Sequence, residues 1–368
     1  MTDSPTLTPY TFPRTGRTVR NRVVLAAMTN KQSHADGSLS AEEHAFLLAR
    51  ARGGFGTITT CAAHVALDGQ GWEGELGVFD DALLPGLTRL ADDLRTAGSL
   101  SLVQIFHAGV RAPSALTGQQ PWSASAFELD SPGFETPRAA TEADIERTIA
   151  SFGEAARRCA RAGFDGVELH GAHGYLLGQF LGSVSNTRDD AWGGSLEKRA
   201  RFVRRVFEAA RAATPDDFLV GIRLSPEVAD QGVTLDEALT VARWLADDGV
   251  DFVHASHWDS FAAPAAHPES TKPLTTWFRE ALGPDVPLIA TGSIWTPAQA
   301  DEVLAQGADL IGLARAAIGN PAWPTDAATP GWQPARPPHS PEHLQEAALS
   351  DTFITYMRRW PDFVTPDA

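Results

Sequence analysis

Short apolar runs rich in β-branched residues alternate with longer amphipathic runs along most of this chain. That alternation restricts the fold more than any other feature. Strands are expected over residues 22–28, 56–62, 100–106, 166–170, 218–224, 252–255, 287–290 and 310–313. Helical periodicity fills gaps between them, over residues 39–52, 142–162, 196–213, 235–248 and 297–306. Strand and helix in alternation imply parallel strands, because each helix returns the chain to the same end of the sheet. About eight such repeats indicate an α/β fold of (β/α)8 TIM-barrel type, which closes on itself and leaves no edge strand. Several helices end on a pair whose second residue is glycine: Ala97-Gly98, Ala162-Gly163, Asp248-Gly249 and Gln306-Gly307. Glycine there supplies the left-handed cap.

Two segments fall outside the repeat. Residues 118–138, rich in Pro, Ser and aromatics, read as a long loop over the barrel mouth. Residues 321–341 are Pro-rich, read as extended, and lead to a final helix over about 342–359. No domain boundary stands out. Residues 1–368 are read as one domain, with the barrel over about 20–323 and a C-terminal helical tail over 324–368.

Composition excludes several classes of function. Apolar residues make up 43% of the 368, enough for a large core, but no uninterrupted apolar run is long enough to span a membrane. The stretch from Met1 to Arg17 lacks the apolar segment of a signal peptide, so a soluble cytoplasmic protein is expected. A formal charge of −16 repels nucleic acid. Two cysteines, Cys61 and Cys159, cannot build a disulfide framework, a zinc cluster or a cysteine-ligated iron–sulfur cluster, and no metal is expected.

In barrels of this type chemistry sits at the C-terminal ends of the strands. The fourth expected strand ends on His170; His173 and Tyr175 follow, with Gly171 and Gly174 interleaved. Two imidazole donors can grip one electron-rich oxygen while a phenol alongside supplies a proton. That suits a carbonyl polarised as a neighbouring carbon receives hydride. The same spacing of histidines occurs in metal sites, and histidines at strand ends also serve purely structural roles. The composite with Tyr175 and the two glycines weighs toward chemistry. At the last two strand ends stand Thr291-Gly292-Ser293 and Ala314-Arg315, either tight turns or a phosphate cradle of backbone N–H groups with a guanidinium. Gln104 and Arg223 point to the barrel axis, where they match the pyrimidine edge of a flavin; the alternative is a core ion pair between Arg223 and Glu168.

These motifs together resemble the Old Yellow Enzyme family of FMN-dependent ene-reductases. The likeness is carried by the first strand, Asn21-Arg22-Val23-Val24-Leu25-Ala26-Ala27-Met28-Thr29, and by Gln104-Ile105-Phe106-His107-Ala108-Gly109. It continues through His170-Gly171-Ala172-His173-Gly174-Tyr175 and the loop from Ser185 to Arg199, and runs from about Pro9 to Trp323. The resemblance implies tightly bound, non-covalent FMN contacted by Ala27, Met28, Thr29, Ala62, Gln104, Arg223, Gly292, Ser293, Ala314 and Arg315, with Thr29 meeting the flavin O4. It implies NADH or NADPH as transient reductant, and an activated alkene (enone, enal, maleimide or nitroalkene) as oxidant in a ping-pong cycle. Hydride passes from FMN N5 to the β-carbon. His170 and His173 bind the activating oxygen, and Tyr175 protonates the α-carbon. Lys31, His257, Trp258 and Arg358 are candidate substrate-pocket residues. Asn186, Arg188 and Glu197 are expected to brace the long loop.

The chain also departs from the family pattern. Ala27 stands where proline is common, Ala314 where glycine is common, and Lys31 where a bacterial branch has tyrosine. The tail motif Tyr356-Met357-Arg358-Arg359-Trp360 resembles one that sends an arginine into a neighbouring subunit's site, so a homo-oligomer is among the expectations; a plain surface helix end is the alternative. Rival functions are another FMN barrel acting on tRNA, a flavin-binding sensor with incidental turnover, and a metal-dependent lyase.

Overall fold

A computed structural model describes residues 4–128 and 133–366. Eight parallel strands form its centre: β1 Val23–Leu25, β2 Thr57–His64, β3 Leu100–Phe106, β4 Gly166–Gly171, β5 Leu219–Leu224, β6 Val253–Ser256, β7 Leu288–Thr291 and β8 Leu310–Leu313. They pair in sequence order, β8 pairs with β1, and β1 pairs with β2, so the sheet closes into the expected barrel. Every residue of the eight strands is buried. Strands covered on both faces read as continuous apolar runs, which is why sequence alone located them.

Around the barrel lie α1 Ala41–Arg52, α2 Leu84–Thr96, α3 Glu142–Ala162, α4 Leu196–Ala212, α5 Leu235–Asp247, α6 Leu274–Leu282 and α7 Pro297–Ala305; a short α8, Arg315–Gly319, follows β8. Their start signals are local. Thr141 with Asp144, Thr234 with Glu237, and Thr296 with Gln299 form capping boxes. On α3, Ile145, Ile149, Phe152 and Ala156 recur every three to four residues and are buried. Each large side chain on such a stripe is worth about 1.5–3 kcal/mol of burial. The four expected glycine caps all have positive φ, from +79° at Gly98 to +112° at Gly307.

The floor of the barrel is closed by an antiparallel hairpin, Tyr10–Thr11 with Thr18–Val19. Phe12 leaves it to pack inside the barrel against Phe252, beside Leu102, Leu219, Ile289 and Leu310. Arg14 pairs with Asp251, and Arg17 with Asp165 and Asp217, so two guanidiniums pin the hairpin under the strands.

Three expectations need correction. The first strand stops at Leu25: Ala26 N–H still donates to the Leu313 carbonyl, and Ala27 and Met28 then leave the sheet to line the cleft above it. The Pro-rich stretch is not wholly extended: Trp323–Asp326 is helical, with Pro324 in the first turn where its missing N–H costs nothing. The final helix is two helices, α9 Pro341–Glu346 and α10 Asp351–Met357. Ala348 sits at φ +63° between them, and the Ser350 hydroxyl caps α10. In the loop over the mouth, Trp122–Ser123 pairs with Arg138–Ala139; residues 129–132 lie outside the described part.

Candidate active site

The C-terminal ends of the strands open into one cleft. It is lined by His170, His173 and Tyr175, and by Ala27, Met28, Thr29, Ala62, Gln104, Arg223, Gly292, Ser293, Ala314 and Arg315. His257 and Trp258 line it too. Lys31 and Arg358 are not among the lining residues. The Lys31 ammonium lies over the Tyr356 ring, 5.6 Å from its centroid, and Arg358 Nη1 donates to the Thr365 carbonyl at 3.0 Å. From the tail it is instead Tyr356, Met357 and Trp360 that reach the cleft.

The two imidazoles stand edge to face, 5.0 Å between centroids. Ala172 N–H donates to His170 Nδ1 at 3.4 Å, which leaves the ring proton on Nε2. His173 Nε2 meets the Ser256 hydroxyl at 2.7 Å, and its backbone N–H donates to Ser225 Oγ at 3.0 Å. That second bond holds His173 at φ +59°, a region that costs a non-glycine residue energy. Burial, reinforced by Arg223, His254 and Arg111, holds both rings well below the usual imidazole range, so both are neutral at pH 7.

Tyr175 packs edge-on to Phe106 at 5.1 Å, beside His170 at 4.9 Å and Trp72 at 6.4 Å. Burial pushes its phenol up to about 12 against the pull of Arg111, so it is protonated at neutral pH. The Arg111 guanidinium lies 5.4 Å from the centroid of the Tyr175 ring, and its charge pulls the phenol downward. No acidic side chain among the described residues pairs with Arg111, and its Nε is buried without a partner. Neither Arg111 nor Trp72 was singled out from sequence. Arg111 lies just past the Gln104–Gly109 motif, which was the one signal available for it.

Beside β4, the neighbouring strands β3 and β5 contribute Gln104 and Arg223, Arg223 being the Cα partner of His170, and the loops after β1, β7 and β8 complete the lining. Arg223 Nη1 donates to the Ala27 carbonyl at 3.1 Å. That bond is made by the backbone carbonyl, which alanine supplies as well as the proline common there. Arg223 does not pair with Glu168: Glu168 is taken by Gln104 and by His254, a β6 residue that sequence reading missed. Arg315 donates to Ser293 Oγ at 3.3 Å and lies over the exposed Trp258 indole. In the long loop, Asn186 Nδ2 donates to the Phe180 and Trp192 carbonyls, and Arg188 Nη1 to those of Ala124 and Ala140, which is the bracing expected of them. Glu197 lies in the first turn of α4.

A family model described as the NADH:flavin oxidoreductase / NADH oxidase family matches residues 7–330. The chain belongs to this family. Its resemblance to the Old Yellow Enzymes therefore holds across most of its length. The chain is 38% identical over 324 residues to the probable NADH-dependent flavin oxidoreductase YqiG of Bacillus subtilis, covering 87% of this chain and 86% of that one. It is 36% identical over 323 residues to the NADH:acrylate oxidoreductase of Vibrio harveyi; that match takes in 85% of this chain but 32% of the longer protein. Among solved structures, an old yellow enzyme homologue from Zymomonas mobilis superposes with a TM-score of 0.81 at 25% identity, covering 93% of this chain and 99% of that one. Morphinone reductase gives 0.79 at 26%, covering 93% of each.

Like other family members, the protein is an oxidoreductase that uses FMN with NAD(P)H as reductant. The residues present fit that cofactor. Arg223 Nε is buried and lacks a partner, a donor that an electron-rich ring edge would satisfy. Gly292 has φ +150°, and a Cβ there would come within 2.8 Å of the His257 carbonyl, so only glycine keeps this backbone open to a phosphate. No Asp or Glu is among the residues lining the cleft, in a chain of net charge −16. No helix among the described residues is long and apolar enough to cross a membrane. Nor does any group of three or more His, Cys, Asp or Glu among them stand ready to hold a metal.

Proposed function

We propose that this chain is an ene-reductase for activated alkenes, with Tyr175 as proton donor and His170 and His173 as the anchor for the activating oxygen. FMN, when bound, supplies the hydride chemistry between NAD(P)H and the alkene. Gln104 and Arg223 would hold its pyrimidine edge, Thr29, Ala27, Met28 and Ala62 its ring, and Gly292, Ser293, Ala314 and Arg315 its phosphate.

The chain's own residues do the rest. His170 presents Nε2–H, and as a neutral donor it polarises a carbonyl, nitro or carboxylate oxygen without protonating it. His173, held by Ser225 and Ser256, adds the second donor. Tyr175 keeps its proton on Oη until a carbanion develops at the neighbouring carbon, then gives it up. Arg111 offsets the charge left on Oη, which in a buried pocket is otherwise costly. The reading also draws support from relatives named for acrylate and fumarate, both alkenes conjugated to a carboxyl group.

One observation carries it: two neutral imidazoles and one protonated phenol converge on a single cleft that also holds the Arg223 guanidinium, whose buried Nε has no partner. The test is spectroscopic. The purified protein should be yellow, bleach with NADH or NADPH under anaerobic conditions, and recover its colour on adding 2-cyclohexenone or maleimide. A protein that bleaches but is not reoxidised by any enone, maleimide, nitroalkene or acrylate would refute it.

A further inference from the structure

Barrel interiors of this fold are commonly filled by branched apolar side chains. Here one level of the interior carries a continuous polar chain instead. Gln104 Nε2 donates to Glu168 Oε1 at 2.6 Å, His254 Nδ1 meets Glu168 Oε2 at 2.7 Å, and His254 Nε2 meets Thr291 Oγ1 at 2.6 Å. Glu168 and His254 are fully buried. They are the Cα partners of the two residues expected to read the flavin's pyrimidine edge, Glu168 of Gln104 and His254 of Arg223, and Glu168 accepts a hydrogen bond from Gln104.

The direction of each bond follows from charge. Burial would raise the Glu168 carboxyl, but His254, Arg223 and Gln104 hold it below the ordinary carboxylate range. An ionised carboxylate only accepts. His254 must then donate from Nδ1, which leaves Nε2 to accept from the Thr291 hydroxyl. Gln104 must likewise turn its NH2 to Glu168, because the flipped amide would set its carbonyl oxygen against a carboxylate oxygen. Gln104 lines the cleft, so Oε1 is the atom it offers to a ligand. The far end of the chain is tightly fitted as well. A Cβ at Gly312 would lie 1.9 Å from Thr291 Oγ1 and 3.0 Å from His254 Nε2.

We propose that Glu168 and His254 are positioning residues that lock Gln104 as a hydrogen-bond acceptor, and so make the cleft selective for a ring edge bearing an N–H beside a carbonyl that Arg223 can meet. The proposal rests on the flavin site argued above. A filler role for the pair predicts loss of stability on mutation; a positioning role predicts loss of discrimination.

The experiment uses protein stripped of FMN and titrated with FMN and with N3-methyl-FMN, followed by flavin fluorescence. The wild type should favour FMN by about a hundredfold, roughly the value of a charge-supported hydrogen bond in a dry site. Glu168→Gln lets either amide donate, so the preference should fall to about tenfold or less and the bound flavin's midpoint potential should shift. If that variant does not fold, His254→Gln, which frees Glu168 to move, should show the same fall. Glu168→Gln or His254→Gln that folds with the wild-type preference intact overturns the proposal, as does a wild type with no preference. Wild-type protein that binds neither flavin would overturn the site reading itself.

Discussion

In the proposed reaction Tyr175 and Arg111 work together, the guanidinium lying 5.4 Å from the centroid of the phenol ring. A phenol pushed up to about 12 is a safe proton store but a reluctant donor, and the guanidinium beside it lowers the cost of release. Tyr175→Phe should leave flavin bleaching by NAD(P)H in place and slow reoxidation by an enone about a hundredfold or more in single-turnover measurements. Arg111→Leu should slow the same half-reaction about tenfold, with Tyr175 still present. A collapse of bleaching with intact reoxidation would count against both roles. His170 and His173 are neutral at pH 7 and Tyr175 is protonated there, so the alkene half-reaction should run nearly level from pH 7 to 9.

At the scale of elements, Arg50 on α1 ties the site to the tail. Its guanidinium is fully buried and is used up by four carbonyls: Ala317 and Ile318 of α8, Phe46 of its own helix, and Ala347 at the end of α9. Arg50→Met fills the volume but strands those oxygens, and should cost about 2–4 kcal/mol in a denaturant titration while making the tail a better protease target. The elements themselves were largely legible in the sequence. Buried parallel strands announce themselves as short, mainly apolar runs rich in β-branched residues, and a strand end rich in His, Arg or Gly marks the working face. What was illegible depends on which inward side chains meet across strands. Glu168 and His254 are 86 positions apart, and only the stagger of the closed sheet brings β4 and β6 side chains together. The tail was misread for a related reason. Local helical pattern runs straight through Ala348, while the break is fixed from outside by Gln32, whose side-chain Oε1 accepts from both the N–H and the hydroxyl of Ser350.

Across the whole molecule, acid should be the weak point. Burial holds His257 down to about 3 and His339 to about 4, and keeps His170 and His173 well below their ordinary value. A histidine lowered on folding gives stability that is complete above its unfolded value, near 6.5, and is lost as pH falls toward the folded one. Glu75, raised to about 7, and Glu43, also raised by burial, act with the opposite sign: their contribution is present below about 4.5 and fades as pH rises. Burial lowers His254 as well, so five histidines outweigh two carboxyls, and Tm should drop as pH goes from 6.5 to 4; a melting point that holds or climbs over that range would contradict the assignment. The hairpin under the barrel carries a last consequence. With Phe12 corking one end and two arginines clamping the cork, the reaction chamber is a cul-de-sac. On the proposed ping-pong reading, reductant and oxidant would share a single doorway, so flooding the protein with either one should slow turnover by shutting the other out, and doubling both together should restore less speed than doubling the scarcer alone.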